Sequence, residues 1–281
     1  MPKEINFSKI KAFALDLDGT CLLPDHSLGE KTAQILKRKI AEGIKVIVCT
    51  GRAIESSSRY YNTIGAQGPM VFFNGAVVAD VPNVKTIESR LMDTDIVNYA
   101  IDLARNMDIH LQVFLPPKEK NSWEALVIDK MRPEAEFYQK HTGVKHTVTD
   151  MKAAISEPDL KGCIKAAFIT DPCLHDEIRR KMLDRFGSHL YIARTHPTYL
   201  EIMDAGVSKG EGLKTVMRHH GFKPEEVMAF GDEENDLPMF AAAGCCAAPS
   251  NAKENIRNAA DFVFGSSAEE GFAAFLEENF N

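Results

Sequence analysis

The sequence predicts an α/β protein: a parallel-sheet core interrupted by an inserted α+β module. Three observations carry this. Short branched apolar runs at residues 12–15, 45–49 and 227–230 alternate with helical patterns near both ends of the chain, as β-helix-β units require. That alternation lapses between about residues 80 and 198 and then resumes. Polar, glycine-containing stretches follow the apolar runs, at the carboxyl edge where open α/β sheets bind ligands.

The 281 residues, 44% hydrophobic and 26% charged, provide for a sizeable core and leave little room for long disorder. Lys and Arg total 33 against 40 for Asp and Glu, a net charge of -7 with no basic block, which argues against nucleic acid as a partner. Cys21, Cys49, Cys163, Cys173, Cys245 and Cys246 form no CxxC pair and read as reduced thiols. Residues 1–11 lack the apolar centre of a signal peptide, and no apolar run approaches the ~20 residues that span a bilayer. The expectation is a cytoplasmic protein, with no membrane partner, that is a monomer or a weak homo-oligomer.

In chain order, the strand at 12–15 ends at Asp16-Leu17-Asp18-Gly19-Thr20. Ser27-Leu28-Gly29-Glu30 has capping-box spacing and predicts a helix with Leu28, Leu36 and Ile40 inward, stopped near Gly43. The strand at 45–49 ends at Thr50-Gly51-Arg52, before a helix over 53–63. Asn74-Gly75 between the apolar runs 70–73 and 76–79 predicts a hairpin. Residues 80–85, with Pro82 and Asn83, read as a linker out of the first sheet.

In the module, Asp93 caps a helix carrying Ile96, Val97, Ala100, Ile101, Ala104 and Met107 at amphipathic spacing. Strands follow at 109–115 and 123–128, a helix at 133–141, a strand at 164–169, a helix at 174–186 and a strand at 191–193. Arg194-Thr195-His196-Pro197 reads as the return linker. Strand character restarts in the first sheet at 199–203, followed by a helix over 209–220 stopped by Gly221. The strand 227–230 ends at Gly231-Asp232. A helix at 236–243, a strand at 245–248, a helix at 252–258, a strand at 261–264 and a terminal helix close the chain.

Four polar stations then stand at strand ends: Asp16 with Asp18, Thr50-Gly51, Lys209, and Asp232 with Asn235 and Asp236. Parallel strands would turn all four to one crevice. Carboxylates gathered there repel by roughly 4 kcal/mol per pair at ~4 Å and an effective dielectric of ~20. A divalent cation removes that cost, and an all-oxygen set suits Mg²⁺. Thr50, the N–H groups around Gly51 and the Lys209 ammonium are what a phosphate needs. One early aspartate could then attack phosphorus while the other handles protons. Taken singly these residues have plainer readings, as turn formers, a surface lysine or a helix opening. A calcium loop from Asp16 fails, because Thr20, Cys21 and Ser27 stand where Asp or Asn, Gly and Glu are required.

The ordered set resembles the haloacid dehalogenase (HAD) superfamily phosphatases, specifically the Cof-type group with a large C2-type cap. DLDGT at 16–20, TGR at 50–52, GVSKG at 206–210 and GDEENDLPM at 231–239 are similar to its four motifs and span nearly all the chain. The resemblance implies a Rossmann-like parallel-sheet core over 1–81 and 198–281, with 82–197 as an inserted α+β cap domain setting specificity. It implies Asp16 as nucleophile, forming an aspartyl-phosphate, and Asp18 as general acid and then base. Mg²⁺ would be held by Asp16, the Asp18 carbonyl and Asp232. The Leu17 N–H, Thr50, Gly51, Lys209 and Asn235 would hold the phosphoryl group, with Arg52, Asn74 and Asp236 in support. The implied activity is hydrolysis of small phosphorylated metabolites, sugar phosphates or similar phosphomonoesters. A phosphomutase of the same superfamily and a non-catalytic phosphometabolite-binding protein are the alternatives. In the cap, His110, Lys118, Lys120, Arg194 and His196 read first as solvated surface groups.

Overall fold

The structure, a computed structural model, describes residues 5–117 and 125–280. β1 (Ala12–Leu15) is buried along its whole length, so it reads as a continuous apolar run rather than an alternating one. A tight turn over Leu17–Cys21 leads on to α1 (Glu30–Ala41), β2 (Lys45–Val48) and α2 (Ile54–Ile64). The start of α1 departs from the expected capping box. Its N-cap is Gly29, which gives no side-chain bond, and the Ser27 hydroxyl donates to Asp25 instead. Glu270 accepts from the Thr32 N–H at 2.7 Å, so the cap comes from 238 residues away.

β3 (Gly68–Phe72) and β4 (Val77–Val81) form the expected hairpin, with Phe72 opposite Val77. Residues 80–85 are not a linker. They turn the chain into β5 (Lys85–Ser89), the third strand of that small sheet, because Pro and Asn serve a tight turn as well as an exit.

Next come α3 (Thr94–Met107), β6 (His110–Leu115), β7 (Ala125–Ile128), α4 (Pro133–Thr142), β8 (His146–Val148) and α5 (Met151–Ile155). β9 (Lys165–Ile169), α6 (His175–Phe186), β10 (Leu190–His196) and β11 (Tyr199–Asp204) complete the module. β8 and α5 were not expected, being too short to show a period. Residues 123 and 124 of the expected strand 123–128, like Lys118 and Lys120, lie outside the described residues. The six strands form one mixed sheet in the order β10-β11-β9-β6-β7-β8. One face packs on α3, α5 and α6 through residues such as Ile101, Val113, Phe168, Met182 and Leu200.

Two expectations fail in this sheet. Residues 194–197 are the end of β10 and its turn, not a return linker, and 199–203 do not rejoin the first sheet. They lie in β11, with Tyr199 opposite Ile169 of β9. A strand's own pattern fixes its faces but does not name its neighbour.

The chain returns through α7 (Lys209–His220), β12 (Val227–Phe230), α8 (Leu237–Ala242), β13 (Cys245–Pro249), α9 (Glu254–Ala259), β14 (Phe262–Phe264) and α10 (Gly271–Asn279). The core sheet runs β14-β13-β12-β1-β2 with every pair parallel. Strand order reverses between β1 and β12, which makes their carboxyl ends the switch point where such sheets bind ligands. Ala14, Ile47, Val71, Leu213, Val216 and Phe240 are packed in the core on one side. Phe13, Phe230, Phe272 and Phe275 form an aromatic cluster, Phe230 meeting the other three at 5.7, 5.0 and 5.9 Å.

Two compact units result. The first holds the described residues up to Arg52, Ser57–Glu88 and those from Ser208 on; the second holds Ala53–Ser56 and Ser89–Val207. Among the described residues, no helix is long and apolar enough to cross a membrane.

Candidate active site

The switch point sets Asp16, just after β1, beside Asp232, just after β12. The Asp16 N–H donates to the Phe230 carbonyl at 2.9 Å, so the last rung of the β1–β12 ladder positions the carboxylate. Gly19 follows at φ +78°, and a Cβ there would fall 2.2 Å from Asp232 Oδ2. Only glycine lets the loop pass so close to that carboxylate. Asn251 anchors the loop from the other side, its amide donating to the Gly19 carbonyl at 2.9 Å.

Lys209 is the first residue of α7 rather than the end of a core strand. Ser208 caps that helix by accepting from the Glu211 N–H. The lysine is only 1% exposed, and its ammonium donates to Asp16 Oδ1 at 2.6 Å and to Asp236 Oδ1 at 2.7 Å. Burial works against its charge, but the two carboxylates hold its pKa well above the ordinary lysine value. The other oxygen of Asp236 accepts from the N–H groups of Asp232 and Glu233, so both of its oxygens are engaged. Asp236 therefore ties Lys209 to the loop that carries Asp232.

Asp16, Asp232 and Asp236 each bring a carboxylate oxygen within 4.8 Å of the others, and the group could hold a metal ion. Burial first, and then the neighbouring acids Asp236, Asp232 and Asp18, push the Asp16 pKa well up against the pull of Lys209. Burial and Asp236 push Asp232 up to about 6, with the Thr20 hydroxyl opposing by donating to Asp232 Oδ1 at 2.8 Å. Three carboxylates face one ammonium, and that excess negative charge fits a divalent cation. The donors are all oxygen, which favours a hard ion over zinc.

Asp18 points elsewhere. Arg52 grips it through Nε at 2.6 Å and Nη2 at 2.5 Å, and His26 Nδ1 lies 2.8 Å from its Oδ1. Burial would raise its pKa, but the hydrogen bonds and charge of Arg52, with His26 behind them, hold it below the usual carboxylate value. The two early aspartates thus sit in opposite electrostatic environments, the arrangement by which paired acids acquire different tasks.

Thr50 and Gly51 follow β2. The Thr50 carbonyl accepts from the Asn74 N–H at 3.0 Å, and its hydroxyl accepts from the Arg52 N–H at 3.1 Å. Asn74, at φ +56°, accepts from Asn235 Nδ2 at 2.9 Å, leaving Asn235 Oδ1 buried with no partner among the described residues. Leu17 is buried in the turn after Asp16. Side chains join the expected residues of the first unit in three places, Lys209 with Asp16 and Asp236, Arg52 with Asp18, and Asn235 with Asn74, while Thr50 is tied to Arg52 and Asn74 through their N–H groups and Asp232 to Asp236 through its own. His26 and Asn251 were missed, and neither sits in a motif. Thr20 does, but nothing local marked it as the partner of Asp232. In the other unit, His110 is buried rather than solvated, whereas Arg194 is exposed as expected.

The family profile described as haloacid dehalogenase-like hydrolase matches residues 13–276. The chain is 29% identical over 271 residues to the 5-amino-6-(5-phospho-D-ribitylamino)uracil phosphatase YitU of Bacillus subtilis, covering 95% of this chain and 97% of that one. It is 26% identical to the HMP-PP phosphatase of an Enterobacter species, over 82% of this chain and 80% of the relative. Among solved structures, TM0651 from Thermotoga maritima superposes with a TM-score of 0.84 at 27% identity, covering 96% of this chain and 97% of the other.

Proposed function

The chain belongs to the haloacid dehalogenase-like hydrolases, a phosphatase among them, and from that premise we propose a Mg²⁺-dependent phosphatase working through an aspartyl-phosphate on Asp16. The observation that carries the reading is the buried Lys209 bridge between Asp16 and Asp236, beside Asp232. Such a bridge holds the attacking carboxylate in one orientation and places a fixed positive charge where phosphoryl oxygens would gather.

In the first step an Asp16 oxygen attacks phosphorus, the bond from phosphorus to the leaving alcohol breaks, and Asp18 gives that alcohol its proton. In the second, Asp18 takes a proton from water as the water attacks the aspartyl-phosphate, the bond to Asp16 breaks, and inorganic phosphate leaves. The charged form of Asp18, which Arg52 and His26 favour, suits the second step. Acting as an acid requires Asp18 to give up the Arg52 contact first, because a guanidinium fork disfavours the neutral carboxyl. Thr50, Gly51, Asn235, the Leu17 N–H and Lys209 cradle the phosphoryl oxygens, with Arg52, Asn74 and Asp236 positioning them. Asp16, the Asp18 carbonyl and Asp232 would hold Mg²⁺, which neutralises charge on the transferring group.

The relatives' names support the class of substrate, a small phosphorylated metabolite, rather than one compound. The second unit, as the cap, would choose among such metabolites. The test is inorganic phosphate release from p-nitrophenyl phosphate and a panel of sugar phosphates and phosphorylated heterocycles, with and without Mg²⁺. Turnover is expected to require Mg²⁺ and Asp16. Activity that survives both EDTA and Asp16→Ala would refute the reading, and an isomerised ester in place of free phosphate would turn it to a mutase.

A further inference from the structure

The loop between Asp16 and α1 carries a weakness along with its chemistry. Gly19 is required at φ +78° beside Asp232, yet glycine is also the residue whose backbone turns most freely. Inside the loop, the Thr20 hydroxyl donates to Asp232 Oδ1 at 2.8 Å and the Leu22 N–H to the Leu17 carbonyl at 2.9 Å, and neither bond holds the Gly19 carbonyl. Asn251 does, its Nδ2 donating to that carbonyl at 2.9 Å.

Asn251 stands two residues beyond β13, which lies two strands from β1 in the core sheet, so the contact spans the end of β12 between them. The residue is exposed, and no packing in the core calls for an asparagine there. Its amide is oriented by what it meets. Oδ1 accepts from the Ser267 N–H at 2.9 Å and from the Ser266 hydroxyl at 3.3 Å, and a backbone N–H can only donate. Nδ2 is left for the Gly19 carbonyl, which can only accept, so a flipped amide would set like against like at both ends.

The support behind Asn251 is rigid. The Ser266 carbonyl accepts from the N–H groups of Glu269 and Gly271, both at 3.0 Å, and a Cβ on Gly271 would fall 2.1 Å from the Gly265 carbonyl oxygen, so this turn closes tightly on itself. Its last residue, Glu270, accepts from the Thr32 N–H at the start of α1. One turn therefore ties down Gly19 through Asn251 and α1 directly. It runs on into α10, whose Phe272 and Phe275 pack on Phe230 of β12 at 5.0 and 5.9 Å. Asp232 follows that same strand, so the tie on Gly19 and one of the clustered carboxylates rest on the same helix.

We infer that Asn251 is a positioning residue for the divalent-cation site. By holding the Gly19 carbonyl it removes the rotation that glycine allows and keeps the loop's peptide planes, the Asp18 carbonyl among them, in place for a cation shared with Asp16 and Asp232. This role rests on the Mg²⁺-dependent phosphatase reading above, and it acts on affinity for the metal, as groups that orient metal ligands do.

Isothermal titration of the full-length protein with Mg²⁺ tests it, on the wild type, Asn251→Ala and Asn251→Asp, with urea unfolding in EDTA beside it. Asn251→Asp keeps an acceptor for the Ser267 N–H but sets a carboxylate oxygen against the Gly19 carbonyl, so it breaks the clamp and spares the turn. The expected result is Mg²⁺ affinity weakened by roughly tenfold in both variants, in Asn251→Asp despite its added negative charge, with the unfolding midpoint in EDTA little moved. The Mg²⁺ concentration that half-activates hydrolysis of p-nitrophenyl phosphate should rise by a similar factor. Variants that bind Mg²⁺ like the wild type, an Asn251→Asp protein that binds it more tightly, no saturable binding by the wild type, or a loss of affinity confined to variants whose midpoint collapses would each overturn it. Binding and losses as stated without any hydrolysis would support the clamp and sink the phosphatase reading, so the two fail separately.

Discussion

Replacing Lys209 with Met keeps most of the side chain's volume and removes its charge, leaving Asp16 and Asp236 buried without their shared partner. The wild-type ammonium is 1% exposed and makes two ion pairs, at 2.6 and 2.7 Å. Breaking a buried pair of this kind costs about 3–5 kcal/mol, a large part of a domain's usual stability of about 5–15 kcal/mol. The loss carries a pH signature. Without the pull of Lys209, the Asp16 pKa, already pushed up by burial and its acidic neighbours, rises further in the folded state and stays ordinary in the unfolded chain, so the folded form binds more protons and acid relieves the defect. Urea unfolding of both proteins at about pH 8 and about pH 5.5 should therefore show a gap that narrows on acidification. A gap below about 1 kcal/mol at both values, or one that widens toward acid, would refute Lys209 as the counter-charge of the pair.

Three other outcomes are expected. Gly19→Ala forces a side chain into φ +78° and against Asp232 at 2.2 Å, and should cut kcat roughly hundredfold while circular dichroism stays native. Arg52→Met removes the main group holding the Asp18 pKa down, so that pKa rises and the alkaline limb of the kcat/KM profile, which Asp18 sets as the acid of the first step, should move to higher pH. His110 has a folded pKa of about 4 against 6.5 for the free ring, so its contribution is intact above pH 6.5 and falls as pH drops toward 4. The loss amounts to about 3 kcal/mol at most, from 1.36 kcal/mol per unit, and urea unfolding of His110→Gln should lack that slope.

The core was legible because its signals are local. Residues 12–15, 46–49 and 227–230 are short apolar runs buried on both sides, and each ends in a stretch that carries chemistry. The helix expected over 209–220 is the one observed, since Ser208 caps it and Gly221 ends it in the left-handed conformation. The second unit was legible as a different texture but not as a wiring diagram. Its exits were misplaced because Pro82-Asn83 and His196-Pro197 read equally as linkers and as turns, and only pairing to β4 and β9 decides between them. The cap on α1 was misread for the same reason, since Glu270 wins over the local Ser27 from the far end of the chain.

By itself, the sequence determined the class of fold, the motifs and their order, because strand, turn and helix start lie within a few residues of one another and carry the reactive groups with them. Tertiary structure alone decided how those groups divide their work. It placed Asp18 on Arg52 and His26 while Asp16 went to Lys209, and it engaged both oxygens of Asp236. The ion pairs of Arg52 with Asp18 and of Lys209 with Asp16 and Asp236 join residues 34, 193 and 27 positions apart, and charge and burial are properties of the pairing rather than of either residue.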